Sequence, residues 1–234
     1  MYKILFKNKI NLLFLLISFL CLISVVGIDN VSFKSTEWLF TGESSQHQLG
    51  WHFFKNDIWR FPLGNNPNYG DEFSNSIVFS DAIPILALFF KSLKSFIPGN
   101  FQYFSFWYFI CFFLQLFFSF KIIKKFTGSD LYSVIGSFFF LISPIFIYRV
   151  DEHLALASQW LLLFALYLGL TQKIDKAKLL WILLIILSSL INLYFTAMVV
   201  AVYSLLRIFN LKFEKEIFFK LIKDFFIIAL LLFL

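Results

Sequence analysis

Long apolar runs are the feature that most restricts what this chain can fold into. Four of them approach or reach the ~20 residues that an α-helix needs to cross the hydrocarbon core of a bilayer, and they cover residues 10–28, 101–120, 131–148 and 154–171. None of the four contains a charged residue, which is typical of helices surrounded by lipid or by other apolar helices. The sequence therefore predicts an all-α protein, a polytopic membrane helical bundle.

The last part of the chain carries less regular apolar stretches. The stretch 179–209 is too long for one membrane span and short for two, and Asn192 lies near its middle. We therefore expect two short helices, at 179–193 and 194–209. A final run at 221–234 would reach only ~21 Å at ~1.5 Å per residue, against a hydrocarbon core of ~30 Å. We expect it to be the incomplete last span of a longer protein, which gives about 6–7 spans in this chain.

Composition agrees with a membrane location. Apolar residues make up 60% of the chain, charged residues 15%, and the mean hydropathy is +0.81. Soluble domains carry about 25% charged residues, so a soluble domain is excluded. The net charge of +6 comes from cations beside apolar runs, not from one basic patch, so no nucleic-acid partner is expected. Cys21 and Cys111 lie inside apolar runs, which indicates buried thiols and no disulfide.

Lysine placement predicts how the chain is threaded. The lysines that precede the first run are Lys3, Lys7 and Lys9. By the positive-inside rule they hold the N-terminus in the cytoplasm, so residues 1–28 enter the membrane and residues 29–100 emerge on the outer face. Residues 82–97 are then best interpreted as an amphipathic interfacial helix, since a crossing there would leave two later lysine clusters outside. Residues 101–234 hold the remaining spans.

The predicted outer segment, residues 29–100, concentrates the polar chemistry of the chain. It contains seven of the fourteen acidic residues and two of the three histidines, together with many aromatic residues. Structureless loops longer than ~15 residues are usually functional or disordered, and this one is too aromatic for disorder. We expect a packed subdomain on the membrane surface.

Three residues of this segment are candidate catalytic groups. In a helix that follows Gly42, Glu43 and His47 share one face at a spacing of four, which places a carboxylate beside an imidazole, as in a general base and its orienting partner. The same spacing also makes an ordinary helix salt bridge, which is the commoner outcome on spacing alone. Asp81 precedes the interfacial helix and is either its N-cap or a third catalytic group.

The same segment carries candidate substrate contacts. Aromatic rings beside amides and acids are typical of sugar-binding grooves, and the candidates are Trp51, Trp59, Asn66 and Tyr69. Stabilised surface loops use the same residue types, and Asn, Gly and Pro in this stretch also favour turns. Both interpretations remain open from the sequence.

A second polar patch follows the third apolar run. Arg149 suits a phosphate or a carboxylate of the first outer segment, and Glu152 and His153 complete the patch. Helix capping by the acidic residues is the competing explanation. Carboxylates with histidine can also bind a divalent metal ion, but no ligand set has a recognised spacing, so we assign no metal site and no cofactor.

These patterns resemble a known group of proteins. The residues that carry the resemblance are Gly42-Glu43, Gln46-His47, Gly50-Trp51, Phe53-Phe54, Trp59, Phe61 to Gly64, Asn66-Pro67, Tyr69-Gly70, Ser76 to Asp81, Phe101 to Phe104, Leu114-Gln115, Arg149 to His153 and Leu193 to Phe195. They are similar to a bacterial multi-pass membrane-protein family of unknown function. That family in turn resembles, in architecture, the GT-C superfamily of lipid-linked-sugar glycosyltransferases, which have a cytoplasmic N-terminus and a large outer first loop with an essential acidic residue.

The resemblance implies transfer of a sugar from a polyprenyl-phosphate carrier to an acceptor on the outer face of the bacterial inner membrane. Glu43 would act as the base, although the family motif has Asp after the glycine, and Glu reaches one methylene further. Arg149 and His153 would meet the departing phosphate. The alternative is a non-catalytic membrane protein such as a transporter, a flippase or an envelope-assembly scaffold. A proton-coupled transporter would place acids at the bilayer midplane, whereas the runs 10–28, 101–120 and 131–148 have no charge.

Overall fold

The secondary structure is helical throughout the part of the chain that the structure, a computed structural model, describes: residues 2–70, 75–209 and 223. The only sheet-like pairing in that part is an isolated antiparallel bridge between Asn65 and Ser76. Its α-helices are α1 (Tyr2–Val26), α2 (Ser44–Asn56), α3 (Pro84–Ser92), α4 (Phe104–Thr127), α5 (Asp130–Leu141), α6 (Pro144–Glu152), α7 (Trp160–Thr171), α8 (Lys178–Ser189) and α9 (Leu193–Phe209). Short 3-10 helices connect several of them.

Two helices are long and apolar enough to cross a membrane, α1 through its segment Lys9–Val26 and α4 over its full length. α5 and α6 meet the same criterion only as a pair, which bends by 52° at its break. α7, α8 and α9 are apolar but shorter. The described residues thus hold two candidate spans, or three if the bent pair is one span, fewer than the six to seven expected. The expected last span, 221–234, lies outside the described residues apart from Lys223.

The bend between α5 and α6 divides the helix expected at 131–148. Pro144 occupies the first turn of α6, and Ser143 before it has extended backbone angles. Proline lacks the amide proton that a continuing helix needs and disfavours helical geometry at the preceding residue. The run is therefore apolar enough for a span but is not one straight helix. The bend brings the end of α6 against the start of α4, where the Tyr108 hydroxyl donates to the carbonyl of Val150.

α1 and α5 both pack along α4. On the α1 side, the Phe14 ring meets Phe120 edge to face at 5.6 Å. On the α5 side, a Cβ added to Gly136 would lie 2.6 Å from Cδ1 of Ile123, so the glycine permits the close approach of the two helices. Small residues at such contacts are typical of helices that associate inside membranes.

The residues between α1 and α4 form a folded cap, which contains α2 and α3. α2 buries one face through His47, Trp51 and Phe54, at helical spacings of four and three. The Trp51 ring packs against Tyr103 edge to face at 5.0 Å, and Phe90 of α3 stacks on the same tyrosine at 5.4 Å. Full burial of each apolar side chain of this size contributes about 1.5–3 kcal/mol. α3 occupies the first part of the helix expected at 82–97, and a 3-10 turn, Lys94–Phe96, follows it.

Two buried lysines form hydrogen bonds to backbone carbonyls near the C-terminal end of α2. The ammonium group of Lys55 donates to the carbonyl of Gly99, and that of Lys91 donates to the carbonyl of Ile58 at 3.1 Å. The Lys91 ammonium also lies 3.9 Å from the centre of the Phe54 ring. Burial lowers the pKa of both lysines. Their long stems therefore fill the cap, while carbonyl and aromatic partners stabilise their ammonium groups.

A second compact unit begins at Leu161. Within it, α8 and α9 pack together, and the side chain of Asn192 accepts a hydrogen bond from the amide of Tyr194 at 2.9 Å, capping α9. The apolar stretch 179–209 is thus two helices joined at residues 190–192. At the far end of α9, Arg207 donates to the carboxylate of Asp175 at 2.6 Å.

Candidate functional site

Glu43 lies at the start of α2 and reaches the other predicted polar patch. Gly42, with φ of 56°, turns the chain into the helix, and Glu43 occupies the N-cap position. From there the carboxylate does not pair with His47, the partner that the spacing of four offered. It contacts His153 instead, with Oε2 of Glu43 2.8 Å from Nδ1 of His153. This contact joins two segments that are more than a hundred residues apart in the sequence.

His153 is held by the end of α6. It is the residue that follows the helix, and its amide donates to the carbonyl of Arg149 at 2.9 Å. Since Trp107 of α4 donates its indole N–H to the carbonyl of Leu154 at 2.8 Å, the chain on both sides of His153 is fixed. The His153 side chain is 24% exposed and that of Glu43 58%. The backbone of His153 is therefore fixed by α6 and α4, while both side chains of the pair are partly exposed to solvent.

His47 comes close to this pair but is buried. Its ring is only 2% exposed, and Nδ1 lies 2.9 Å from the carbonyl oxygen of Ser80. A carbonyl only accepts, so Nδ1 carries the proton, and Nε2 has no hydrogen-bond partner among the described residues. Burial lowers the pKa of His47, against the opposing effects of the Ser80 hydrogen bond and of the charges on Asp81 and Glu43. His47 is consequently neutral at pH 7, with an unused lone pair on Nε2.

Asp81 follows a 3-10 turn, Ile77–Ser80, that packs against α2. Its backbone is left-handed, with φ of 49°, and that of Ile83 is too, with φ of 52°. Left-handed geometry is tolerated by aspartate but is unusual for a β-branched residue and costs about 1–3 kcal/mol. Asp81 does not cap α3, since Ile83 occupies the N-cap position without a side-chain hydrogen bond. The turn approaches α2 so closely that only glycine fits at residue 50, where a Cβ would lie 2.4 Å from Cβ of Ser80.

The predicted substrate contacts fall into buried and exposed residues. Trp51 is fully buried and donates its indole N–H to the carbonyl of Phe101 at 2.9 Å. Asn66 is fully buried and donates to the carbonyl of Gly50 at 3.0 Å. Both side chains hold the cap together. Trp59 is half exposed on the cap surface, and the role of sugar contact stays a prediction for all of these residues.

Tyr69 lies over α2, with its hydroxyl 3.3 Å from the carbonyl of Gln46 and its ring 5.8 Å from that of Phe53.

Arg149 lies one turn before His153 on α6, half-buried, with its guanidinium group 5.6 Å from the centre of the Tyr148 ring. The prediction for Glu152 concerns a side chain outside the described part of the structure. Within the described residues, no group of three or more His, Cys, Asp or Glu side chains has an arrangement suited to a metal ion.

An apolar cavity of about 830 Å³ lies beside α6, open at one side. α1 contributes Cys21 and Val25 to its wall, and α4 contributes Phe112. α6 contributes Phe146 and Val150, so the cavity reaches the helix that carries Arg149. Sequence reasoning did not find this cavity, because it depends on the bend that follows α5.

Comparison with known proteins identifies a family whose function is not known. A family model described as "Domain of unknown function (DUF6311)" matches residues 15–234. No curated protein and no solved structure has a significant match to the chain.

Proposed function

The chain belongs to this family, DUF6311, and we propose that it is a membrane glycosyltransferase-like protein that moves a sugar from a polyprenyl-phosphate donor to an acceptor. The reaction would take place on the outer face of the bacterial inner membrane, with the N-terminus in the cytoplasm. In this proposal the apolar helices belong to a GT-C-like membrane bundle.

The contact between Glu43 and His153 carries the proposal. Sugar transfer to an acceptor needs a group that removes a proton from the acceptor and a cation that meets the departing phosphate. The paired carboxylate and imidazole provide the first, and Arg149, one turn away on α6, provides the second. Asp81 and both members of the pair lie close enough to His47 for their charges to act on its pKa.

The cavity beside α6 is a second argument for the proposal, because it suits a sugar donor with a lipid anchor. Its walls are mainly apolar, and it adjoins the same helix that presents Arg149. A polyprenyl chain is a flexible hydrocarbon, and an apolar cavity holds such a chain without placing it in water. In the proposed complex the hydrocarbon lies in the cavity and the phosphate lies at the end of α6.

The test is a comparison of surface glycans by mass spectrometry in a strain that lacks the gene. Complementation with the wild-type gene should restore a glycan that the deletion strain has lost, whereas Glu43→Gln and Arg149→Ala should restore only a small part of it. Arg60→Ala is the matched control, because Arg60 is an exposed cap residue that pairs with Asp57 at 3.0 Å and does not belong to the site. If deletion removes a glycan and both site variants restore it fully, the proposed function is wrong.

A further inference from the structure

Resting on the proposed sugar transfer, we infer that His153 takes the proton from the acceptor, and that Glu43 is a positioning residue for His153. The resemblance to lipid-linked-sugar glycosyltransferases implied the opposite assignment, with Glu43 as the base and His153 at the phosphate. The geometry of the pair separates these two assignments.

The direction of the hydrogen bond between the two side chains determines which nitrogen of His153 is free. At neutral pH a carboxylate only accepts hydrogen bonds, so the contact of 2.8 Å requires the proton to be on Nδ1 of His153. In neutral imidazole the other nitrogen, Nε2, then carries the lone pair. The contact thus uses one carboxylate oxygen of Glu43 to fix the tautomer and orientation of the ring. This is the role that a buried carboxylate has toward histidine in catalytic triads.

Nε2 of His153 has no hydrogen-bond partner among the described residues, and the side chain is 24% exposed. The other histidine of the cluster, His47, has the same tautomer but is 98% buried, so an acceptor cannot reach its Nε2 without rearrangement of the cap. Of the two imidazoles near Glu43, only that of His153 combines an available lone pair with access.

The Glu43–His153 pair lies among other charged or titratable side chains. Glu43 supplies a negative charge in direct contact, and Asp81 lies close enough to act on the neighbouring His47. His47 is kept neutral by burial and does not add a second positive charge to the cluster. Arg149 of α6 is positively charged, and its guanidinium group lies 5.6 Å from the centre of the Tyr148 ring. In the proposed reaction this cation binds the phosphate.

The step balances without a further reactant. The acceptor hydroxyl gives its proton to Nε2 of His153 while its oxygen forms a bond to the anomeric carbon of the sugar. The bond between that carbon and the phosphate oxygen breaks, and its electron pair leaves with the polyprenyl phosphate. The imidazolium of His153 is stabilised by Glu43 and later gives its proton to water.

The first test reads the tautomer directly and does not depend on activity. The full chain is labelled with ¹⁵N-histidine, and the three histidines are assigned with His47→Gln, His52→Gln and His153→Gln variants. We expect the proton of His153 on Nδ1 in the wild type and a mixture of both tautomers in Glu43→Gln. Glu43→Asp, which keeps the charge but is shorter, should restore part of the Nδ1 form. A proton on Nε2 in the wild type, or a spectrum unchanged by Glu43→Gln, would overturn the inference.

The second test uses the glycan assay of the proposed function. His153→Gln should abolish transfer, and Glu43→Gln should slow it by about 10²–10⁴-fold while leaving a measurable remainder. The double variant should be no worse than His153→Gln, since residues that act as a unit are not additive. His52→Gln is the control, because His52 is exposed on α2 and, in the described part of the chain, its Nε2 pairs with Asn56 alone, at 3.3 Å.

The outcomes separate the two proposals. Full transfer by His153→Gln with loss in Glu43→Gln would overturn the assignment of His153 and leave sugar transfer intact. Full transfer by both variants, in a strain where deletion removes the glycan, would overturn sugar transfer at this site, and the tautomer spectra would still decide the positioning role of Glu43.

Discussion

Replacing Gly50 with alanine should destabilise the cap by a predictable amount. A Cβ at this position would lie 2.4 Å from both Cβ and Oγ of Ser80, more than 1 Å inside ordinary contact, so either α2 or the 3-10 turn must move. Overpacking of this kind costs about 1–3 kcal/mol. Alanine returns about 1 kcal/mol through its better helix propensity. Since Cβ of Ser80 cannot swing away as a long side chain would, we expect a net loss of about 1–2 kcal/mol.

Thermal unfolding of the purified protein in detergent measures this loss. For a chain of this size, 1–2 kcal/mol corresponds to a fall in Tm of about 2–8 °C. The control is Gly99→Ala, because a Cβ at Gly99 meets no atom within 4 Å, and its Tm should change by no more than about 2 °C. Adding Ser80→Gly to Gly50→Ala removes the opposing Cβ and should recover part of the loss. A Tm for Gly50→Ala equal to or above that of the wild type would refute the reasoning.

Two further predictions concern the cap. Folding lowers the pKa of His47 below its ordinary 6.5, so just below pH 6.5 the unfolded chain binds more protons than the folded protein. The free energy of unfolding should therefore decrease as the pH falls through that range, by up to about 1.4 kcal/mol per pH unit. In His47→Gln, Tm should depend less steeply on pH. An unchanged dependence would contradict the conclusion that the pKa of His47 is lowered by burial. Asn66→Ala leaves the carbonyl of Gly50 without its buried donor and should cost about 1–3 kcal/mol, whereas Asn68→Ala, on the exposed surface nearby, should cost under about 0.5 kcal/mol in the same assay. Equal losses in the two asparagine variants would show that the Asn66 hydrogen bond does not matter.

Local features of the fold followed from the sequence. Helical spacing after Gly42 predicts α2, which the structure contains as Ser44–Asn56. Apolar length predicts α1 and α4 as candidate spans. The proline at residue 144 was visible as well, and the rule that it interrupts a helix explains why the apolar run 131–148 is bent.

The site itself depended on contacts that no local pattern contains. Spacing offered His47 as the partner of Glu43, whereas the N-cap position of Glu43 directs its carboxylate to His153, which a bend and a helix end bring into place. His47 then bonds to a backbone carbonyl, that of Ser80, and carbonyls have no sequence signature. The left-handed backbone of Ile83 was equally unforeseeable, because a β-branched residue disfavours it and only tertiary packing imposes it.

The central proposal is that Glu43 and His153, whose side chains are 2.8 Å apart, form one site on the outer face of the membrane. It is tested most directly by replacing Cys21 and Cys111 with serine, introducing Glu43→Cys and His153→Cys together, and treating spheroplasts with a short, membrane-impermeant bifunctional thiol reagent. A control pair combines Glu43→Cys with Lys124→Cys, since Lys124 lies 17 residues beyond Trp107 on α4, about 25 Å along the helix. We predict linked peptides from the first pair and none from the control, as read by mass spectrometry. If both single-cysteine variants react with an impermeant maleimide but the pair gives no linked peptide, the two side chains do not meet and the account is wrong.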